Sequence, residues 1–204
     1  MGVFTLVSED AFDELQLDAG VLLSTFDITN PYTTPASENI IATTTGGINP
    51  TCVPTYEDLA EDVDNVPNNM KEFKKLSGWE CGMGFSSIKF NAENIRWSLG
   101  AADKTTPSGA NYTKIVPRRD LEQTDFADVW WVGDKANGGA VAIKLINALS
   151  TGGLNIQTTK NGKGTNAITL TGHVSIDDQD TMPMEFYDID PPTGATGATG
   201  ETGV

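Results

Sequence analysis

The sequence predicts a mainly β protein, a β-sandwich or barrel with one flanking α-helix at about residues 91–100. Three observations carry this. Apolar and polar residues alternate with period two along most of the chain, a single window has helical spacing with caps at both ends, and no β-α-β alternation is present. With 204 residues, 38% hydrophobic and 20% charged, the chain can bury a sizeable core.

In chain order, LQLD (15–18) and GVLLSTFDI (20–28) read as strands, and NPYTTPASEN (30–39) as a loop broken by Pro31 and Pro35. IIATTT (40–45) is a strand and GGINP (46–50) a turn. Residues 57–78 run acidic and then basic with little periodicity. That predicts a long exposed loop, a kind that usually carries function or an interface. WECGMGFSSIKF (79–90) puts Trp79, Cys81, Met83 and Phe85 on one face of a strand. The helix follows, with Asn91 as N-cap, Glu93 in the first turn, Ile95 and Leu99 four apart, and Gly100 just past its end.

DKTTPSGAN (103–111) reads as a loop, and TKIVPR (113–118) and FADVWWV (126–132) continue the sheet. Trp130 and Trp131 point to opposite faces, so one of them is expected to leave the core or line a contact. AVAIKLINA (140–148) places Val141, Ile143 and Leu145 on one side. STGG (150–153) is a turn, LNIQTT (154–159) the returning strand, and KNGKG (160–164) a second turn. ITLTGHVSI (168–176) has Ile168, Leu170, Val174 and Ile176 on its apolar face. Gly172 shares that face, where it would admit a neighbouring backbone or mark a bulge. Residues 140–176 therefore predict an antiparallel meander. MPMEFYDI (182–189) is the last strand, placed at an edge or a strand start by Pro183. The chain divides into a domain over 1–190 and a short appendage, PPTGATGATGETGV (191–204). Its G-x-y triplets are like a collagen fragment, too short and too poor in proline to hold a triple helix alone.

Net charge is −15, and its placement is uneven. Residues 1–70 hold no Lys or Arg, all thirteen basic residues fall within 71–165, and 166–204 hold none. So acidic a chain repels phosphate and is poorly suited to wrapping nucleic acid, although it could form a wall to which nucleic acid does not stick. No apolar run is long enough to span a bilayer. The opening MGVFTLVSEDAF lacks a basic region and turns acidic at Glu9 and Asp10, which reads against a secretory signal, and Leu6 stands where myristoylation wants Ser or Thr. Cys52 and Cys81 form no CxxC pair and read as small buried hydrophobes in a reducing compartment.

The motifs of catalysis are missing or broken. His173 is the one histidine, on the polar face of a strand, and no G-x-S-x-G elbow accompanies it. NGKGT (161–165) fails the phosphate-loop pattern because Gly164 follows Lys163. Asp62, Asp64 and Asn65 lack the glycine and distal glutamate of a calcium loop. Asn111-Tyr112-Thr113 is a glycosylation sequon only in a secreted chain. The sequence predicts no enzyme, no cofactor and no metal.

The block TLTGHVSIDDQDTMPMEFYDI (169–189) resembles the closing strands of major tail proteins from long non-contractile phages of Gram-positive hosts. NVPNNMKEFKKLSGWE (65–80) and residues 117–164, from PRRDLEQTDF to TTKNGKG, share that likeness, which spans most of 10–190. The G-x-y tail is not part of the usual tube pattern. The resemblance implies a β-sandwich or barrel with one flanking helix, the fold group of the type VI secretion tube protein. It implies homohexameric rings whose inner strands join into one barrel and stack into a hollow tube. Double-stranded DNA would pass the acidic lumen during ejection without tight binding. The implied partners are the chain itself and tape measure, terminator and distal tail proteins, in a virion tail assembled in the bacterial cytoplasm.

On this reading the 57–78 loop bridges rings, with Lys71, Lys74 and Lys75 meeting Glu61, Asp62 and Asp64 of a neighbour. Asp13, Glu14, Asp18, Asp177, Asp178 and Asp180 are the candidates for the lumen, since their segments carry unbalanced acid. Two other readings stand beside it. One is another virion component, such as a tail terminator or head-decoration protein. The other is a carbohydrate-binding β-sandwich of a surface adhesin, which Trp130, Trp131 and the G-x-y tail would suit.

Overall fold

The alternation in the sequence becomes one antiparallel ladder folded into two leaves. The computed structural model describes residues 11–192, and the appendage expected over 191–204 lies almost wholly outside them. The elements are β1 (Gln16–Leu23), β2 (Ile40–Ala42), β3 (Thr44–Asp58), β4 (Lys74–Ser87), α1 (Ala92–Leu99), β5 (Ala102–Thr105), β6 (Lys114–Pro117), β7 (Ala127–Lys135), β8 (Ala140–Ser150), β9 (Asn155–Gln157), β10 (Thr165–Thr171) and β11 (Met184–Ile189). The protein is mainly β with a single α-helix among the described residues, a β-sandwich with a helix packed on it.

One leaf runs β2-β1-β7-β8-β11 and the other β10-β4-β3, with β9 beside β10. Strand β8 joins them. Its residues Ala140–Leu145 pair with β11, while Leu149 and Ser150 pair with β10. The change of partner falls at Asn147, which has φ 48. Asn147 takes this turn because its polar groups are held, its N–H by Asp128 Oδ1 at 3.1 Å and its Nδ2 by the His173 carbonyl at 3.1 Å. Between the leaves lies the core of Leu22, Met83, Phe85, Val129, Trp131, Ile143, Leu145, Ile168, Leu170 and their neighbours.

Several expectations change. GGINP is no turn. Strand β3 runs through it with a bulge, for Thr45 pairs with Ser86 and Ile48 with Phe85, leaving Gly46 and Gly47 extra at φ 78 and 83. The loop expected over 57–78 spans only 59–73, so Lys74 and Lys75 are strand residues. Residues 24–28 are not strand, and β5 pairs with β6 where a loop was expected. The meander is not simple, since β9 pairs with β10 and not with β8.

Strand β10 stops at Thr171, and Val174 and Ile176 are exposed. It stops because Gly172 turns against the other leaf. A Cβ at Gly172 would lie 2.7 Å from Leu145 Cδ1 and 2.8 Å from the Pro183 carbonyl, so the backbone approach that the glycine suggested is present.

The helix has the expected ends. Asn91 Oδ1 accepts the Asn94 N–H at 2.8 Å, and Gly100 closes it at φ 70. Its buried face is Asn94 and Ser98, while Ile95 and Leu99 are only half-buried. Asn94 Nδ2 donates to the Ile41 carbonyl at 2.6 Å, and Ser87 Oγ donates to Asn94 Oδ1 at 2.7 Å. Asn166 Nδ2 donates to Ser98 Oγ at 2.6 Å, and Ser150 Oγ to the Ser98 carbonyl at 2.7 Å. The helix thus docks by hydrogen bonds to β2, β4, β8 and β10, where apolar periodicity predicts a greasy stripe.

Trp130 and Trp131 are both buried, at 8% exposure each. Trp131 enters the main core, and its Nε1 donates to the Ala19 carbonyl at 3.0 Å. Trp130 lies on the outer face of its leaf in a second cluster with Leu23 and Ala142. Phe26 and Tyr187 cover it at centroid distances of 5.4 and 5.5 Å. The loop after β1 folds back to supply this cover, so neither tryptophan is left for a contact.

Candidate assembly surface

Strand β4 has neighbours on both sides only from Gly82 to Ser87, where β10 pairs with it. Beyond that, Cys81 keeps one bond on that side, from the Gly172 N–H, and Lys74–Glu80 is paired with β3 alone among the described residues. Residues 51–58 and 74–81 therefore form a two-stranded arm that leaves the sandwich, ~26 Å long at about 3.3 Å per residue. Pro50 and Pro54 fit β3 because it is an edge strand there, where a missing N–H breaks no ladder.

One face of the arm continues the face of β4 that buries Cys81, Met83 and Phe85. Pro54 pairs with Trp79 and Tyr56 with Leu76 on that face. Tyr56 is 59% exposed, Leu76 45% and Trp79 38%, so a core-like face runs out into solvent. Val53 adds to the opposite face, and Leu59, Val63 and Phe73 are exposed at the tip. The signal for this is present as alternation in TCVPTYED, which Pro54 interrupts.

Asp58 organises the tip. Its carboxylate accepts the N–H of Ala60 at 3.1 Å and of Asn69 at 2.9 Å, and Lys74 Nζ lies 3.7 Å away. These contacts, the two backbone bonds first, hold the Asp58 carboxyl below its ordinary range. Lys71 pairs with the adjacent Glu72 at 3.6 Å. Glu61, Asp62, Asp64 and Lys75 are exposed and make no ion pair among the described residues. The structure thus brings Lys74 to Asp58, a partner that the sequence reading did not name.

The six acidic candidates for a lumen are all exposed, in two groups. Asp13 and Asp18 flank the β7–β8 turn, where Asn137 N–H bonds the Asp13 carbonyl and Leu17 pairs with Asp134; Glu14 lies between them in sequence. Asp177, Asp178 and Asp180 lie in the connection leading to β11. Strand β11 pairs Met184 with Leu145 at its start and Ile189 with Ala140 at its end. The groups therefore sit toward opposite ends of the β8–β11 pair, which is ~17 Å long at about 3.4 Å per residue.

No group of three or more His, Cys, Asp or Glu suited to a metal ion occurs among the described residues. His173 packs edge-on against Phe126 at 5.2 Å, and its Nδ1 lies 3.1 Å from the Asn147 carbonyl. A cavity of about 820 Å³ lies between β1 and the loop that covers Trp130, lined by Val21, Phe26, Pro31, Tyr32 and Val132, with Asp18 and Asp134 as its charged residues. No described helix is long and apolar enough to cross a membrane.

No family model matches the sequence, and no curated protein matches it. Among solved structures the chain is similar to one from the virion of a native gene transfer agent particle, at 9% identity and a TM-score of 0.40, covering 83% of this chain and 95% of that one. That likeness is too distant to carry a function from one chain to the other.

Proposed function

We propose that this chain is a structural subunit of a virion, a tail tube protein that self-assembles into stacked rings. The observation that carries the reading is the arm. A two-stranded ribbon is marginally stable by itself in water, and this one exposes Tyr56, Leu76 and Trp79 on a face continuous with the core. A second copy of the chain is the partner that a repeating tube supplies. Strand β11, at the edge of its leaf and free of proline, offers a further edge for pairing around a ring. The acidic groups at both ends of the β8–β11 pair would keep DNA from adhering as it passes, over a Debye length of about 8 Å at physiological salt. The adhesin reading loses its main support, because Trp130 and Trp131 are covered.

The test is negative-stain electron microscopy and sedimentation of concentrated protein, with Tyr56→Lys/Leu76→Lys beside the wild type. The wild type is expected to form rings or tubes and the double variant to remain monomeric. The two lysines stand opposite each other across the arm, so monomer stability should fall, by about 1 kcal/mol or less. Equal assembly by both proteins overturns the role of the arm, and a wild-type monomer that binds glycans overturns the tube. Lys71→Glu/Lys75→Glu examines the inter-ring loop. Lys74 is left intact because its reversal would also repel Asp58 within the chain.

A further inference from the structure

We propose that Cys52 and Cys81 form a reversible oxidation site, a dithiol that closes to a cross-strand disulfide at the root of the arm when a low-molecular-weight disulfide reaches it. The two residues lie directly opposite on β3 and β4, and both thiols are free. Their type of pairing follows from the backbone. The Cys81 carbonyl accepts the Gly172 N–H at 2.9 Å, on the side of β4 away from β3. The N–H and carbonyl of one strand residue point the same way, so Cys81 gives β3 no ladder bonds. Pro50 and Pro54 flank Cys52 at two residues either side, share its orientation and have no N–H to offer. Cys52–Cys81 is therefore a non-hydrogen-bonded pair. Such pairs have Cα atoms about 4.5 Å apart and the closest side chains, at the near end of the roughly 4.4–6.8 Å span of disulfides.

The two thiols differ in access. Cys81 is 2% exposed, and burial first, then contact with the Cys52 thiol, pushes its pKa up to about 12. Cys52 is only half-buried. Cys52 thus reacts first. Its thiolate attacks one sulfur of the reagent, expels a thiolate and keeps the other half as a mixed disulfide. Cys81 then loses its proton to solvent, attacks the Cys52 sulfur and expels the second thiol. Two protein thiols are oxidised, and the reagent takes the electron pair and leaves as two thiols. The second step speeds up as pH rises, because more Cys81 is ionised. Because Cys52 is half-buried, a reducing thiol can reach the bond and reopen it. The bond would cross the ladder just past Gly82, the last β4 residue that pairs with β10, tying the root of the arm together.

The experiment exposes purified full-length protein to excess oxidised glutathione at neutral and at alkaline pH, with intact-mass measurement and thiol counting in denaturant. Wild type should lose both thiols, lose the mass of two hydrogens and retain no glutathione, faster at the higher pH, and a reductant should reverse it. Cys81→Ser should stop at a glutathione adduct on Cys52, and Cys52→Ser should stay unmodified until unfolded. Near-ultraviolet circular dichroism checks that both variants fold. Wild type that retains glutathione on Cys52, forms covalent dimers, or keeps both thiols while the unfolded chain reacts, overturns the proposal.

Discussion

Asn166 on β10 donates its Nδ2 to Ser98 Oγ of the helix at 2.6 Å, with both residues fully buried. This bond belongs to a chain of polar contacts through Ser98 and Asn94 to the Ile41 carbonyl and to Ser87. The helix is therefore held by groups that are costly to leave unpartnered. Asn94→Leu should destabilise the fold by about 1–3 kcal/mol, since it takes the side-chain donor from the buried Ile41 carbonyl, and Asn166→Ala should cost less, about 1 kcal/mol, because Ser98 Oγ keeps its bond to the Asn94 carbonyl. Asn91→Ala removes only a cap and should cost ~1 kcal/mol. Urea midpoints for the three variants test this ranking. A loss for Asn94→Leu no greater than for Asn91→Ala would show that the helix docks by apolar contact.

Trp130 is a core residue on a face that a two-layer sandwich leaves outside. Phe26, Tyr187 and Leu23 enclose it, and Lys144 Nζ lies 5.6 Å from its ring centroid. Trp130→Ala should cost about 3–5 kcal/mol, comparable with Trp131→Ala in the main core. Thermal unfolding of both variants, with intrinsic fluorescence of the remaining tryptophans, measures it. An exposed Trp130 would instead give a loss within about 0.5 kcal/mol.

The loop that carries Phe26 is fastened by Asp27. Its carboxylate accepts from Thr29 Oγ1 at 2.6 Å, the Thr29 N–H at 2.9 Å and Asn30 Nδ2 at 3.0 Å. These bonds, the Thr29 hydroxyl first, lower the Asp27 pKa from 3.8 to about 2. A carboxyl depressed in the folded state stabilises the fold above its unfolded pKa and loses that contribution as pH falls through the folded value. Asp27 should therefore contribute in full above about pH 4 and lose its contribution down to about pH 2. Asp27→Asn should lower stability at neutral pH and flatten the decline in that window. Urea titrations at several pH values would show it, and parallel curves for the two proteins would refute it.

Local chemistry made much of the fold legible. Asn91 and Gly100 fix the helix ends because they satisfy or release its terminal groups wherever it packs. Alternation at Cys81, Met83 and Phe85, and at Val141, Ile143 and Leu145, gives the buried face of β4 and β8 because period two is a property of the extended chain. Less of the assembly surface was readable. Gly46-Gly47 and Pro54 are local breakers, yet they lie within a strand, because a bulge and an edge position tolerate them. The charge run points Lys74 toward a neighbouring subunit, and register adds that Asp58 of the same chain stands across the ladder from it.

By itself the sequence determined the strand-rich class, the one capped helix and the segregation of charge, since these follow from residue types at short spacing. The tertiary structure decided what depends on contacts between distant segments. It set the change of partner of β8 at Asn147, the burial of Asn94 and Ser98 in place of Ile95 and Leu99, the cover over Trp130, and the meeting of Cys52 with Cys81. The physical reason is that alternation says which face of a strand is apolar but not which strand lies beside it. Registry across a ladder is chosen by the whole core at once.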